Sequence, residues 1–207
     1  MNELNRALGD IRSIRRQVAL TTEFRGYGPL TLLLTACFAA VAGWAQALWV
    51  PAPVTHPLRY VTVWASAALL SMAVICVSTL TRTRRVHSGI ANEMIRMAAE
   101  QFAPAFIAGA LLTAVVLVAA HHTPSAVWML SGLWQIIYSL GIFSSCRFLP
   151  RAMVAAGAWY LCTGLLCISI TDARALSPWH MTFAFTLGQT LIALILQLFA
   201  EEAVDET

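Results

Sequence analysis

"TTEFRGYGPLTLLLTACFAAVAGWAQALWV", residues 21–50, sets a charged, sharply turned entrance directly against an apolar run. Glu23 and Arg25 precede Gly26-Tyr27-Gly28-Pro29, and from residue 30 to residue 50 nothing is charged. A helix of about twenty apolar residues crosses a hydrocarbon core of about 30 Å. Glycine permits the backbone angles of a tight turn and proline suits the first turn of a new helix, so the stretch reads as a corner. It takes the chain from the membrane plane into the bilayer.

Upstream of that corner, Leu4, Ala7, Leu8, Ile11, Ile14 and Val18 recur at three- and four-residue steps, with Arg6, Arg12, Ser13, Arg16 and Gln17 on the rest of the helical wheel. This pattern predicts an amphipathic helix in the interface, its arginines toward lipid phosphates. Because a long polar segment precedes the first apolar run, the layout is not that of a cleavable signal peptide.

Downstream, apolar runs at 58–80, 126–146 and 179–199 match the first in length, and shorter or interrupted ones fall at 104–120 and 149–170. Of 207 residues, 59% are hydrophobic and 11% charged, too few charges for a soluble surface. The expected fold is all-α: a polytopic membrane protein with six transmembrane helices in three hairpins and two cytoplasmic interfacial amphipathic helices. Residues 1–28 form the first of these and its turn, 29–200 the transmembrane domain with a cytoplasmic helical loop at 82–103, and 201–207 an acidic tail.

Arginine placement sets the expected orientation. All thirteen basic residues are arginine. Eleven lie before the first run, between the second and third, or between the fourth and fifth; Arg59 and Arg174 alone lie on the other side. The positive-inside rule then places both termini in the cytoplasm of a bacterial inner membrane. The net charge of +3 is accordingly a topology signal, and no nucleic-acid partner is expected.

A second corner is expected where Val86, Ile90, Met94 and Met97 form a stripe opposed by Glu93, Arg96 and Glu100, after which Pro104 opens the third span. Pro150, beside arginines in "CRFLPRAM", opens the fifth. "LLTA" occurs at 33–36 and 111–114, and each return from the outer side passes a tryptophan, Trp64, Trp128 or Trp179. Parallel pseudo-repeats would produce this, as would the ordinary interfacial habits of proline and tryptophan.

Ionisable groups within spans mark ion and proton pathways because lipid makes them costly, and these spans contain essentially none. Neutral polar residues remain. Hydrogen bonding between helices explains them at around 1 kcal/mol each; a cavity for an uncharged or lipid-like molecule is the functional alternative. Gln135 and Gln189 are the leading candidates to line it, with Gln46, Tyr138 and Trp134. Arg82, Arg84 and Arg85 in "RTRRVH", together with Arg12 and Arg16, are expected to meet anionic headgroups or a protein partner.

Adjacent His121 and His122 point about 100° apart on a helix and do not clamp one ion, although His56 and His180 share their expected side. No metal or cofactor is expected. The five cysteines lie in spans or at their cytoplasmic ends and read as packing residues rather than a disulfide framework. Ser131 of "SGLW" lacks a partner base, and the charges in "TDARALSPWH" are explained by a local ion pair. No hydrolase elbow, Walker loop or HExxH motif is found, so an enzyme acting on lipid ranks below a binding or transport role and below an accessory subunit holding a partner.

"DIRSI" near the start, "FLPR" leading to Gly157, and "LGQTL" in the sixth run resemble a loosely defined group of bacterial six-helix membrane proteins without an assigned activity. That resemblance implies the six-helix topology and no chemistry. Ala36, Ala39, Ala40 and Gly43 form a small-residue patch suited to close helix contact within a protomer or in a homo-oligomer or larger membrane complex.

Overall fold

The computed structural model describes residues 29–85, 89–146 and 150–205. Among them every regular element is helical: α1 (Pro29–Trp49), α2 (Pro57–Arg85), α3 (Gly89–Ala120), a short 3₁₀ turn (Pro124–Trp128), α4 (Met129–Ser145), α5 (Met153–Ser169), a second 3₁₀ turn (Ala173–Leu176) and α6 (Pro178–Asp205). Proline occupies the first position of α1, α2 and α6, where its missing N–H costs nothing and its fixed φ suits a helix start.

Five helical stretches are long and apolar enough to cross a membrane: Leu30–Trp49, Pro57–Thr79, Glu100–Ala120, Ala126–Ser145 and Pro178–Leu198. A sixth apolar helix, Met153–Ser169, has 17 residues, about 25 Å of rise, at the lower limit for a span. The apolar runs of the sequence thus all become helices.

The expected second corner does not form at Pro104. That proline lies inside α3, which continues through it from Gly89, and α2 continues to Arg85, so Pro104 starts no new helix. A proline removes one i→i−4 bond, and neighbouring hydroxyls compensate for such losses in membrane helices. Here the Ser144 hydroxyl of α4 donates to Gly141 O at 2.8 Å and lies 3.3 Å from Gln101 O, one residue past the carbonyl whose i→i−4 bond Pro104 removes. The interfacial helix expected over 1–28 lies outside the described residues.

The most extensive helix contacts join α1 to α6 and α4 to α5, ahead of the sequential pairs α1–α2, α3–α4 and α5–α6. The resulting order around the bundle is α2-α1-α6-α5-α4-α3, and the seam between α2 and α3 is thin. Small residues make the two main contacts. Ala36, Ala39 and Gly43 turn toward α6, where a Cβ on Gly43 would lie 2.9 Å from that of Thr182. In the second, Gly132 and Gly164 bring the backbones of α4 and α5 together: a Cβ on Gly132 would lie 2.7 Å from Gly164 O.

Candidate functional site

Helical periodicity aims one polar and aromatic set at the bundle axis: Tyr60 and Trp64 on α2, Ser131, Gln135 and Tyr138 on α4, Tyr160 and Cys167 on α5, Met181, Phe185 and Gln189 on α6. At the end nearest the second 3₁₀ turn, this set fixes the chain. Gln46 Nε2 donates to Leu176 O at 2.7 Å and its Oε1 accepts from Trp64 Nε1 at 2.7 Å. Ser131 Oγ donates to Ala175 O at 2.9 Å, 3.0 Å from Cys167 Sγ. Ala175 and Leu176 are buried by these bonds, so the turn closes the bundle end.

Deeper in, bonding is incomplete. Gln189 Nε2 donates to the Tyr138 hydroxyl at 2.7 Å, but Gln189 Oε1 is buried without a partner. Gln135 Nε2 reaches only Met181 Sδ at 3.7 Å, a weak acceptor, and its Oε1 has none. The hydroxyls of Tyr60 and Tyr160 are likewise buried without partners. Tyr60 OH lies toward Ser131 and Cys167 but meets hydrogen-bond geometry with neither. Tyr160 OH abuts Gly188, whose missing Cβ makes the room. Turning over the Gln135 amide sets its oxygen against Met181 Sδ, which has no hydrogen to give, and leaves its N–H groups unmet as well.

The aromatic rings around these atoms form one assembly. Tyr138 meets Tyr160 edge-on at 4.7 Å between centroids, and Phe185 lies 5.5 Å from Tyr138 and 5.2 Å from Tyr160. Of the five residues expected to line a cavity, Gln135, Tyr138 and Gln189 therefore belong to one axial cluster. Gln46 is committed at both ends to the fold. Trp134 donates its indole N–H to Thr113 Oγ1 at 2.8 Å and stacks on Tyr60 at 5.9 Å and 3°, tying α4 to α3 and α2.

Trp64, expected at an interface, is 5% exposed and bonded to Gln46, whereas Trp179 is exposed. Tyr60 and Tyr160 were not among the expected site residues, although tyrosines four residues from Trp64 and from Gly164 on one helical face carry the signal. Arg12 and Arg16 lie outside the described residues, and of Arg82, Arg84 and Arg85 only the helical backbone is described.

His56, His121 and His122 are exposed, and His180 is half-buried with Nδ1 unpartnered. Among the described residues no three histidines, cysteines or acids gather as a metal site would require. On the second 3₁₀ turn, Asp172 accepts from Arg174 N at 2.7 Å and from Arg174 Nε at 2.8 Å. That backbone N–H and the guanidinium beside it hold the Asp172 carboxyl below its ordinary range.

Compared with known protein families, curated proteins and solved structures, the chain gives no match. The geometry of the axial cluster is therefore the basis for any functional reading.

Proposed function

We propose that this chain is a six-span inner-membrane protein, with both termini cytoplasmic, that binds or transports an uncharged or lipid-like small molecule at the axial cluster of Tyr60, Gln135, Tyr138, Tyr160 and Gln189. The observation that carries the reading is the set of four unpartnered buried polar atoms on Tyr60, Gln135, Tyr160 and Gln189. Each such atom costs about 1–3 kcal/mol, so four of them cost roughly as much as the whole net stability of a typical domain, about 5–15 kcal/mol. An occupant that donates and accepts hydrogen bonds offsets that cost. It is uncharged, because among the described residues no Asp, Glu, Arg or His is buried to compensate an ion.

Water is the competing occupant, and variants separate the two. Protein extracted gently from its own membranes is assayed for bound small molecules beside Gln135→Leu and Gln189→Leu. The proposal predicts at least a tenfold drop in one specific molecule, with both variants still folded. Equal contents in all three proteins would overturn it.

A different observation favours a second reading, an accessory subunit. The apolar stretches of α2 and α3 are 6% buried, against 39–44% for α1, α4 and α6, leaving broad faces for a protein neighbour. In that case replacing Arg82, Arg84 and Arg85 removes a co-purifying protein, and the glutamine variants retain it.

A further inference from the structure

The thin seam between α2 and α3 opens at one end into a cavity of about 410 Å³. His56, Leu58 and Arg59 line it at the start of α2, and Leu117, Ala120 and His121 at the end of α3. We propose that this cavity seats the phosphate of one anionic phospholipid, whose acyl chains lie along the α2–α3 seam. The site is separate from the axial cluster and stands or falls independently of it.

Charge is the first argument. Arg59 is exposed, and among the described residues no carboxylate pairs with it; Asp172, the acidic residue at this end of the bundle, is engaged by Arg174. A guanidinium presents five donors in a planar fork that matches a phosphate's oxygens. The imidazoles of His56 and His121 add ring N–H donors from both walls. Thr55 is not counted, because its hydroxyl already donates to Ala52 O at 2.9 Å.

Helix ends contribute little. The cavity sits at the N-terminus of α2, where the macrodipole favours an anion, but Pro57 has no N–H and the amides of Arg59 and Tyr60 already donate to His56 O. The opposite wall is the C-terminus of α3, which would disfavour one, but the carbonyls of Val118 and Ala119 already accept from the amides of His121, His122 and Thr123. Arg59 then decides the sign.

The apolar wall selects a lipid over a free anion. Leu58 is 66% exposed beside Arg59, and Leu69 and Leu70 on α2 and Leu111, Val115 and Val118 on α3 are exposed on the two helices that flank the seam. An inorganic ion has no use for that surface. An acyl chain covers it in place of bulk lipid without penalty.

The test is native mass spectrometry of the full chain in mixed micelles containing phosphatidylglycerol and phosphatidylcholine. Wild type is expected to retain phosphatidylglycerol in preference, and Arg59→Gln combined with His56→Gln and His121→Gln to retain one tightly held phosphatidylglycerol fewer. Leu117→Trp, which fills the cavity without altering charge, is expected to produce the same loss and carries the test if the triple variant aggregates. Arg174→Gln is expected to retain the wild-type count. Unchanged counts in the cavity variants, or displacement of the lipid by millimolar inorganic phosphate, would overturn the proposal.

Discussion

Replacing Gly132 with alanine tests the close approach on which the axial cluster depends. A Cβ there would lie 2.7 Å from Gly164 O and 2.6 Å from Ile168 Cγ1. Ordinary C···O contacts begin near 3.3 Å, so the two backbones must separate by roughly 0.6 Å. A helical carbonyl cannot rotate away, unlike a side chain. The strain therefore spreads to Gln135, which packs on Gly164, and to Ser131, which bridges α4 to Cys167 and Ala175. Overpacking of this kind costs about 1–3 kcal/mol, which for a chain of this size is a fall in Tm of about 2–12 °C. The control is Gly109→Ala, whose Cβ would meet nothing nearer than 3.9 Å and which gains up to about 1 kcal/mol of helix propensity. Thermal unfolding in mild detergent, followed by far-ultraviolet circular dichroism, reads both. A Gly132→Ala protein that melts with wild type, or a Gly109→Ala protein that melts below it, would refute the reasoning.

Gln46→Leu leaves Leu176 O and the Trp64 N–H without partners and is expected to cost about 2 kcal/mol, with faster hydrogen exchange over 173–176; unchanged exchange would count against the closing role of that turn. The lowered Asp172 pKa means that its stabilisation of the turn is complete above the unfolded carboxylate range and lost as pH falls through the folded value. Protection of the Arg174 amide, measured by hydrogen exchange across pH, should follow that course in wild type and be pH-independent in this respect in Asp172→Asn. Thr171 has φ 58°, a left-handed backbone that a β-branched residue adopts at a cost, so Thr171→Asn is expected to raise stability by up to about 1 kcal/mol; a lowered Tm would contradict this.

The helices were legible in the sequence because apolar runs near twenty residues have few alternatives, and proline at the start of α1, α2 and α6 marked where they begin. Pro104 misled for the same reason. A proline beside charged residues signals a helix start, but inside a membrane helix the lost bond is tolerated, and α3 runs through it. The patch of Ala36, Ala39 and Gly43 was readable as a contact face, whereas its partner, α6, was not, because sequence order favours neighbouring hairpins and only packing decides between them. In the axial cluster, glutamines in mid-span signalled Gln135 and Gln189. Their sequence context did not distinguish them from Gln46, whose bonds to Leu176 and Trp64 join residues 130 and 18 positions apart. Tyr60 and Tyr160 escaped notice because tyrosine is common at membrane interfaces, and only burial reveals an unpartnered hydroxyl.

Native mass spectrometry of the wild-type chain, released directly from its own membranes with minimal detergent, tests the account most directly. The account predicts a single uncharged small molecule bound in stoichiometric amount and lost on unfolding. A bundle that carries only water and bulk lipid, with the same four atoms buried and unmet, would contradict it.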